Sequence, residues 1–131
     1  MNSMYRNSIL TRKECAVSFL KLVGSGQVRK AYEQHIAEDF RHHNPYFKGD
    51  AGSLMQGMEE NAARFPDKIL EVQRALEDGD LVAVHSRVRL KPGDQGLALV
   101  HIFRFRGKDI VELWDIGQPV PENAPNENAM F

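Results

Sequence analysis

Residues 97–116 read LALVHIFRFRGKDIVELWDI, and their alternation decides the fold. Leu97, Leu99, His101, Phe103 and Phe105 occupy one parity; Ala98, Val100, Ile102, Arg104 and Arg106 occupy the other. Period-two alternation places successive side chains on opposite faces of a strand, so this run is a β-strand with its aromatic set toward a core. Gly107-Lys108 then supplies a two-residue turn, and Ile110 to Ile116 forms the returning strand of a hairpin.

The same pattern extends backwards. Leu81 to Leu90 is a third strand, joined to Leu97 by the loop Lys91-Pro92-Gly93-Asp94-Gln95-Gly96. Leu70, Val72 and Leu76 lead into Asp78-Gly79, a dipeptide favoured in tight hairpins. Before Pro66 the period is helical. Thr11-Arg12-Lys13-Glu14 fits a capping box, followed by Ala16, Val17, Leu20 and Val23 and a stop at Gly24. A second helix is predicted from about Gln27 to Ala37, with Val28, Ala31, Tyr32 and Ile36 as its stripe. A third follows Gly49-Asp50, with Leu54, Met58, Ala62 and Phe65 inward and Pro66 as terminator. Helices first and a meandering antiparallel sheet afterwards define an α+β domain with helices covering one sheet face. One domain spanning 1–131 is expected, with residues 1–10 an extension and 118–131 an irregular tail rich in Pro and Asn.

With 131 residues the chain can bury a sizeable core, and a net charge of -1 argues against a nucleic-acid partner held by bulk electrostatics. No segment is long and apolar enough to span a membrane, and the first residues lack the apolar region of a secretory signal. A cytoplasmic protein is the expectation. The single cysteine, Cys15, rules out internal disulfides and cysteine-based metal fingers, and its apolar helical setting predicts a buried thiol.

Three titratable side chains fall on or beside these strands: His85, His101 and Asp115. Burying such groups without partners costs free energy, which points to a pocket with acid/base capacity. A turn at Asp78-Gly79 pairs Leu76 with Leu81, Arg74 with Ala83 and Val72 with His85, so His85 is expected on an apolar, inward face. His101 is expected inward by its own alternation. Asp115 conflicts with that picture, because a regular turn at Gly107-Lys108 sets Trp114 opposite His101 and Asp115 on the other face. A β-bulge in either strand reverses the parity and is required if the aspartate is functional. The opposite face, with Ala98, Val100, Ile102, Val111 and Leu113, is too apolar to stay in water as a patch. A homodimer through the sheet is expected.

His43-Asn44-Pro45, Gly49, VAVHSRV, VHIFRFRGKDIVELWD and the ending Gln118-Pro119-Val120-Pro121…Asn128-Ala129-Met130-Phe131 together resemble the SnoaL-like polyketide cyclase family. More narrowly, they are similar to its small bacterial branch of predicted aldol-condensation proteins, within the nuclear transport factor 2-like superfamily. The resemblance runs from about Thr11 to Phe131. It implies a cone of N-terminal helices packed on a curved antiparallel sheet. It also implies an acid/base role for Asp115, a pocket position for His101, a branch-specific histidine at His85 and a polar group at His43 or Asn44. The chain departs from the branch pattern at Leu113, where a polar residue is common, and at Ala129, where glycine is common.

The chemistry so implied needs no metal or cofactor. Asp115 would remove a proton alpha to a carbonyl, with His101 and His85 donating to the developing oxyanion. His43, Asn44, Arg87, Trp114 and Tyr46 are candidates for binding the substrate. Arg87 shares the predicted face of His85 and suits an anionic group or an acid partner. Metal ligation by His42, His43, His85 and Asp115 lacks any HxH or HxxxH spacing. Two other readings stay open: a non-catalytic ligand-binding or dimerisation module of the same fold, and an epoxide-hydrolase-like site, which lacks a second inward aspartate.

Overall fold

The computed structural model describes residues 9–131, so the extension expected over residues 1–10 lies almost wholly outside the described residues. The chain opens with α1 (Arg12–Gly24), where Thr11 Oγ1 accepts the Glu14 amide and Glu14 Oε1 accepts the Thr11 amide, each at 3.0 Å. This reciprocal pair is the capping box read from the sequence, and it satisfies two amides that no helix turn can. α1 buries Cys15, Ala16, Phe19, Leu20 and Val23 along one stripe. α2 (Val28–His35) follows after the turn at Gly24-Ser25-Gly26. α3 (Ala51–Arg64) starts at Asp50, whose carboxylate accepts the Ser53 amide, and ends at Phe65 before Pro66.

Between α2 and α3 lies a strand that helical periodicity had hidden. β1 (Ile36–His42) begins where Ile36 and Ala37 were expected to complete the second helix. Ala37, Phe40 and His42 are its buried residues, the last two spaced two residues apart as a strand requires. β2 (Ile69–Asp78), β3 (Leu81–Arg89), β4 (Leu97–Arg106) and β5 (Asp109–Pro119) complete a sheet in the order β1-β5-β4-β3-β2. The meander from β2 to β5 is antiparallel as expected, but β1 runs parallel to β5, so the sheet is mixed.

Two irregularities set which side chains meet. The turn after β2 consists of Gly79 and Asp80, because Asp78 pairs with Leu81. Gly79 (φ +62) opens it, as in hairpin turns that place glycine first. The pairing therefore sits two residues from the expected register: Leu76 faces Ala83 and Arg74 faces His85. In the second hairpin Phe105 pairs with Ile110 but Arg104 pairs with Glu112, leaving Val111 as the extra residue of a bulge.

The helices cover one face of the sheet, where Val82, Val84, Phe103, Phe105, Ile110 and Leu113 join Phe19, Tyr32 and Leu54 in one buried cluster. Phe19 meets Phe103 edge-on with ring centroids 5.9 Å apart. Leu113, expected on the far face, is inside because the Val111 bulge reverses the parity after it. Burial of this kind contributes roughly 25 cal/mol for each Å² of apolar surface removed from water, and truncating a core phenylalanine costs about 3–5 kcal/mol.

Candidate active site

The bulge places Asp115 directly opposite His101 across the β4–β5 ladder, on the inner face. It thereby removes the parity conflict that a regular hairpin imposes. His101 is 7% exposed, and its Nδ1 has no hydrogen-bonding partner among the described residues. Burial pushes its pKa down to about 4 against the opposing pull of the Asp115 carboxylate. The imidazole is thus neutral across the physiological range and presents one N–H and one lone pair.

Asn44 reaches the same spot from the loop after β1. Its Nδ2 donates to Asp115 Oδ2 at 2.9 Å, and its Oδ1 accepts the Tyr46 amide at 2.9 Å. His42, buried beneath it, accepts the Asn44 backbone amide on Nδ1 (3.1 Å) and donates from Nε2 to the Lys48 carbonyl (2.6 Å). These bonds fix the tautomer of His42 and lock the loop that carries Asn44. Asn44 therefore positions the carboxylate, because both ends of its amide are engaged within the protein.

His101, Asp115 and Asn44 open onto a cavity of about 250 Å³ between the sheet and helices α1 and α3. Its walls are mainly Leu20, Val23, Leu54, Met58, Leu70, Val88, Leu97 and Leu99, with Asn61 and Lys68 as further polar groups. Phe47 lies over its edge against α3, where Gly57 makes room: a Cβ there would sit 2.4 Å from the ring. A larger groove of about 730 Å³ follows α1 past Lys13, Val17 and Lys21, but no acid–base pair converges there. An apolar cavity with a few convergent polar groups is the stronger candidate. Among the described residues, no three His, Cys, Asp or Glu side chains are grouped to hold a metal.

Five residues expected at the pocket lie elsewhere. His85 points to the outer face, because Val82, Val84, Ser86 and Val88 are the buried parity of β3. Its ring stacks on Phe131 at 6.0 Å, and its Nδ1 lies against the Arg74 guanidinium. Leu76 and Leu81, which suggested an inward face, are 68% and 41% exposed beside the hairpin end. Arg87 shares the outer face, with its guanidinium over Phe131 at 4.7 Å and on the Gln95 carbonyl. Tyr46 is 85% exposed.

His43 and Trp114 also stack on the outer side, with centroids 5.0 Å apart. There they frame Glu112, a 3%-exposed carboxylate that His43 Nε2 meets at 2.6 Å and Arg41 Nε at 3.1 Å, with Arg104 as a third partner. Glu112, His35 and Lys68 drew no attention in the sequence. His35 could have been found, since it falls on the Val28–Ala31–Tyr32 stripe at helical spacing. It is 1% exposed, bonded through Nε2 to Ser18 Oγ (3.0 Å), and burial lowers its pKa to about 4.

Residues 16–113 match the SnoaL-like domain, and the chain belongs to that family. Among solved structures, wild-type IdmH of Streptomyces antibioticus, a candidate polyketide cyclase, superposes with a TM-score of 0.66 at 23% identity, covering 82% of this chain and 91% of that one. AclR of Streptomyces galilaeus, a candidate hydroxylase, gives 0.69 at 22% identity over 82% and 79% of the two chains. A nuclear transport factor 2-like protein of unknown function from Cytophaga hutchinsonii gives 0.67 at 16% identity over 83% and 91%. These likenesses establish the α+β fold. No curated protein sequence matches the chain. No helix among the described residues is long and apolar enough to cross a membrane.

Proposed function

We propose that the chain is a cofactor-independent enzyme that moves a proton alpha to the carbonyl of a small apolar compound, for aldol closure or isomerisation. The single observation behind this reading is the bulge-dependent meeting of Asp115 and His101 at the wall of an apolar cavity. Asp115 Oδ2 is held by Asn44, leaving Oδ1 to accept the proton. As the C–H bond breaks, its electron pair moves onto the carbonyl oxygen, and the neutral His101 N–H donates to the enolate so formed. In an aldol closure the enolate carbon then bonds to a second carbonyl carbon, and the Asp115 proton passes to the new alkoxide. In an isomerisation that proton returns to a different carbon. Both routes leave Asp115 ionised and need no external oxidant.

SnoaL-like membership and the likeness to a candidate polyketide cyclase support a ring-closing or proton-transfer reaction. His85 has no part in it, since it lies across the sheet. The test is α-proton exchange of cyclohexanone in deuterated water, followed by proton NMR. The protein should accelerate exchange, and Asp115→Asn should remove at least about 100-fold of that acceleration. Full exchange activity in Asp115→Asn would leave a binding module as the better reading.

We also propose that a second copy of the chain covers the outer sheet face. Ile116 is 64% exposed there, beside half-buried Val100, Ile102 and Trp114. Sedimentation should give a dimer, and Ile116→Arg should shift it toward monomer; a monomeric wild type would exclude this arrangement.

A further inference from the structure

The cavity carries a cation that the proton-transfer chemistry does not use. Lys68 lies in its wall, two residues before Leu70 and on the same inward parity of the chain entering β2. Its Nζ donates to Asn61 Oδ1 at 2.6 Å, and Asn61 lines the cavity too. No carboxylate pairs with Lys68 among the described residues. Glu59, which lines an adjoining cleft together with Lys68, is already held by Arg29 through contacts of 3.1 and 3.3 Å.

An ammonium group has three N–H donors, and one amide oxygen satisfies only one of them. Placing such a charge in an otherwise leucine-rich wall is costly unless an anion or further acceptors complete it. Burial accordingly draws the Lys68 pKa below its ordinary value.

The sheet register orders the cavity from end to end. The His101–Asp115 rung comes first, then Leu99 opposite Ser86, then Leu97 opposite Val88 with Leu70 beyond it, and Lys68 last. An acid–base pair thus stands at one end, a cation near the other, and apolar side chains between.

We propose that Lys68 binds a carboxylate of the substrate, which is then a keto acid whose carboxylate and reacting carbonyl are separated by an apolar skeleton. This rests on the cavity being the site of proton transfer, but it is tested by binding alone. Octanoate and octanamide, equal in shape and different in charge, are titrated calorimetrically into the wild type and Lys68→Met. The wild type should bind octanoate at least about tenfold more tightly than octanamide, and Lys68→Met should lose that preference while keeping its octanamide affinity. A structural role for Lys68 would weaken both probes alike.

Absence of octanoate binding at millimolar concentration, no preference in the wild type, or a preference that survives in Lys68→Met overturns the proposal. If Lys68→Met does not fold, Lys68→Gln takes its place, and the wild-type preference alone still decides against the proposal when it is absent. Failure of the exchange chemistry with this preference intact would remove Asp115 as the base and leave Lys68 as an anion-binding group.

Discussion

Asn44 shows how a single side chain converts a loop into part of a site. Its amide is oriented by Tyr46 on one side and grips Asp115 on the other, while His42 holds its backbone from below. None of this is visible in the string His-His-Asn-Pro, which shows only that polar groups gather there. The sequence did single out Asn44, Asp115 and His101, and these are the three that meet. His43, Tyr46, Arg87 and Trp114 share their composition but not their direction, and direction depends on registers that no residue type announces. At the other end of the chain, Ala129 adopts φ +58, a left-handed conformation that costs an L-residue about 1–2 kcal/mol. This is the position where the family resemblance leads one to expect glycine. Ala129→Gly should stabilise the tail by about 0.5–1 kcal/mol, measured as slower amide exchange at Met130 and Phe131. Unchanged or faster exchange would show that the conformation carries no strain.

β2 to β5 were legible as strands, with boundaries within a few residues, because alternation is regular in β3 and β4 and turn residues separate each from its neighbour. Which face each parity takes was a harder matter. In β3 both parities contain apolar residues, and Leu76 and Leu81 biased the choice toward the wrong one. Pairing β3 with β4 settles it: Val84 faces His101, so His85 must face away. β1 was missed because Ile36 also fits the helical stripe that precedes it. The Val111 bulge could be required from the sequence only by supposing that Asp115 acts. The same bulge leaves Glu112 on the outer face between β1 and β4, where Arg41, His43 and Arg104 surround it. Removing the carboxylate leaves these three side chains without their common partner, although all three are partly solvated and can rehydrate. Glu112→Ala should therefore cost about 2 kcal/mol, less than for a fully desolvated network, as read from urea unfolding. A loss near zero would mean that the cluster contributes nothing net.

At the scale of the whole molecule, two buried histidines tie stability to acid. The pKa of His35 and that of His101 fall from 6.5 in the ordinary state to about 4 in the fold. Between those values the unfolded chain binds protons that the native chain refuses, so stability rises with pH across this window. It is fully present above about pH 6.5, erodes as pH falls toward 4, and is lost below that. Each histidine contributes on the order of 3 kcal/mol, and urea midpoints taken from pH 7 to pH 4 should drop accordingly. His35→Gln should flatten the slope, and a pH-independent midpoint would contradict the burial of both rings.

The sheet separates Asp115 and His101, which face the cavity, from His85, which does not. α-Proton exchange of cyclohexanone measured in parallel for Asp115→Asn and His85→Phe tests it most directly. At least about 100-fold loss is expected in the first and wild-type exchange in the second. Exchange that survives Asp115→Asn, or that falls equally in His85→Phe, would contradict it.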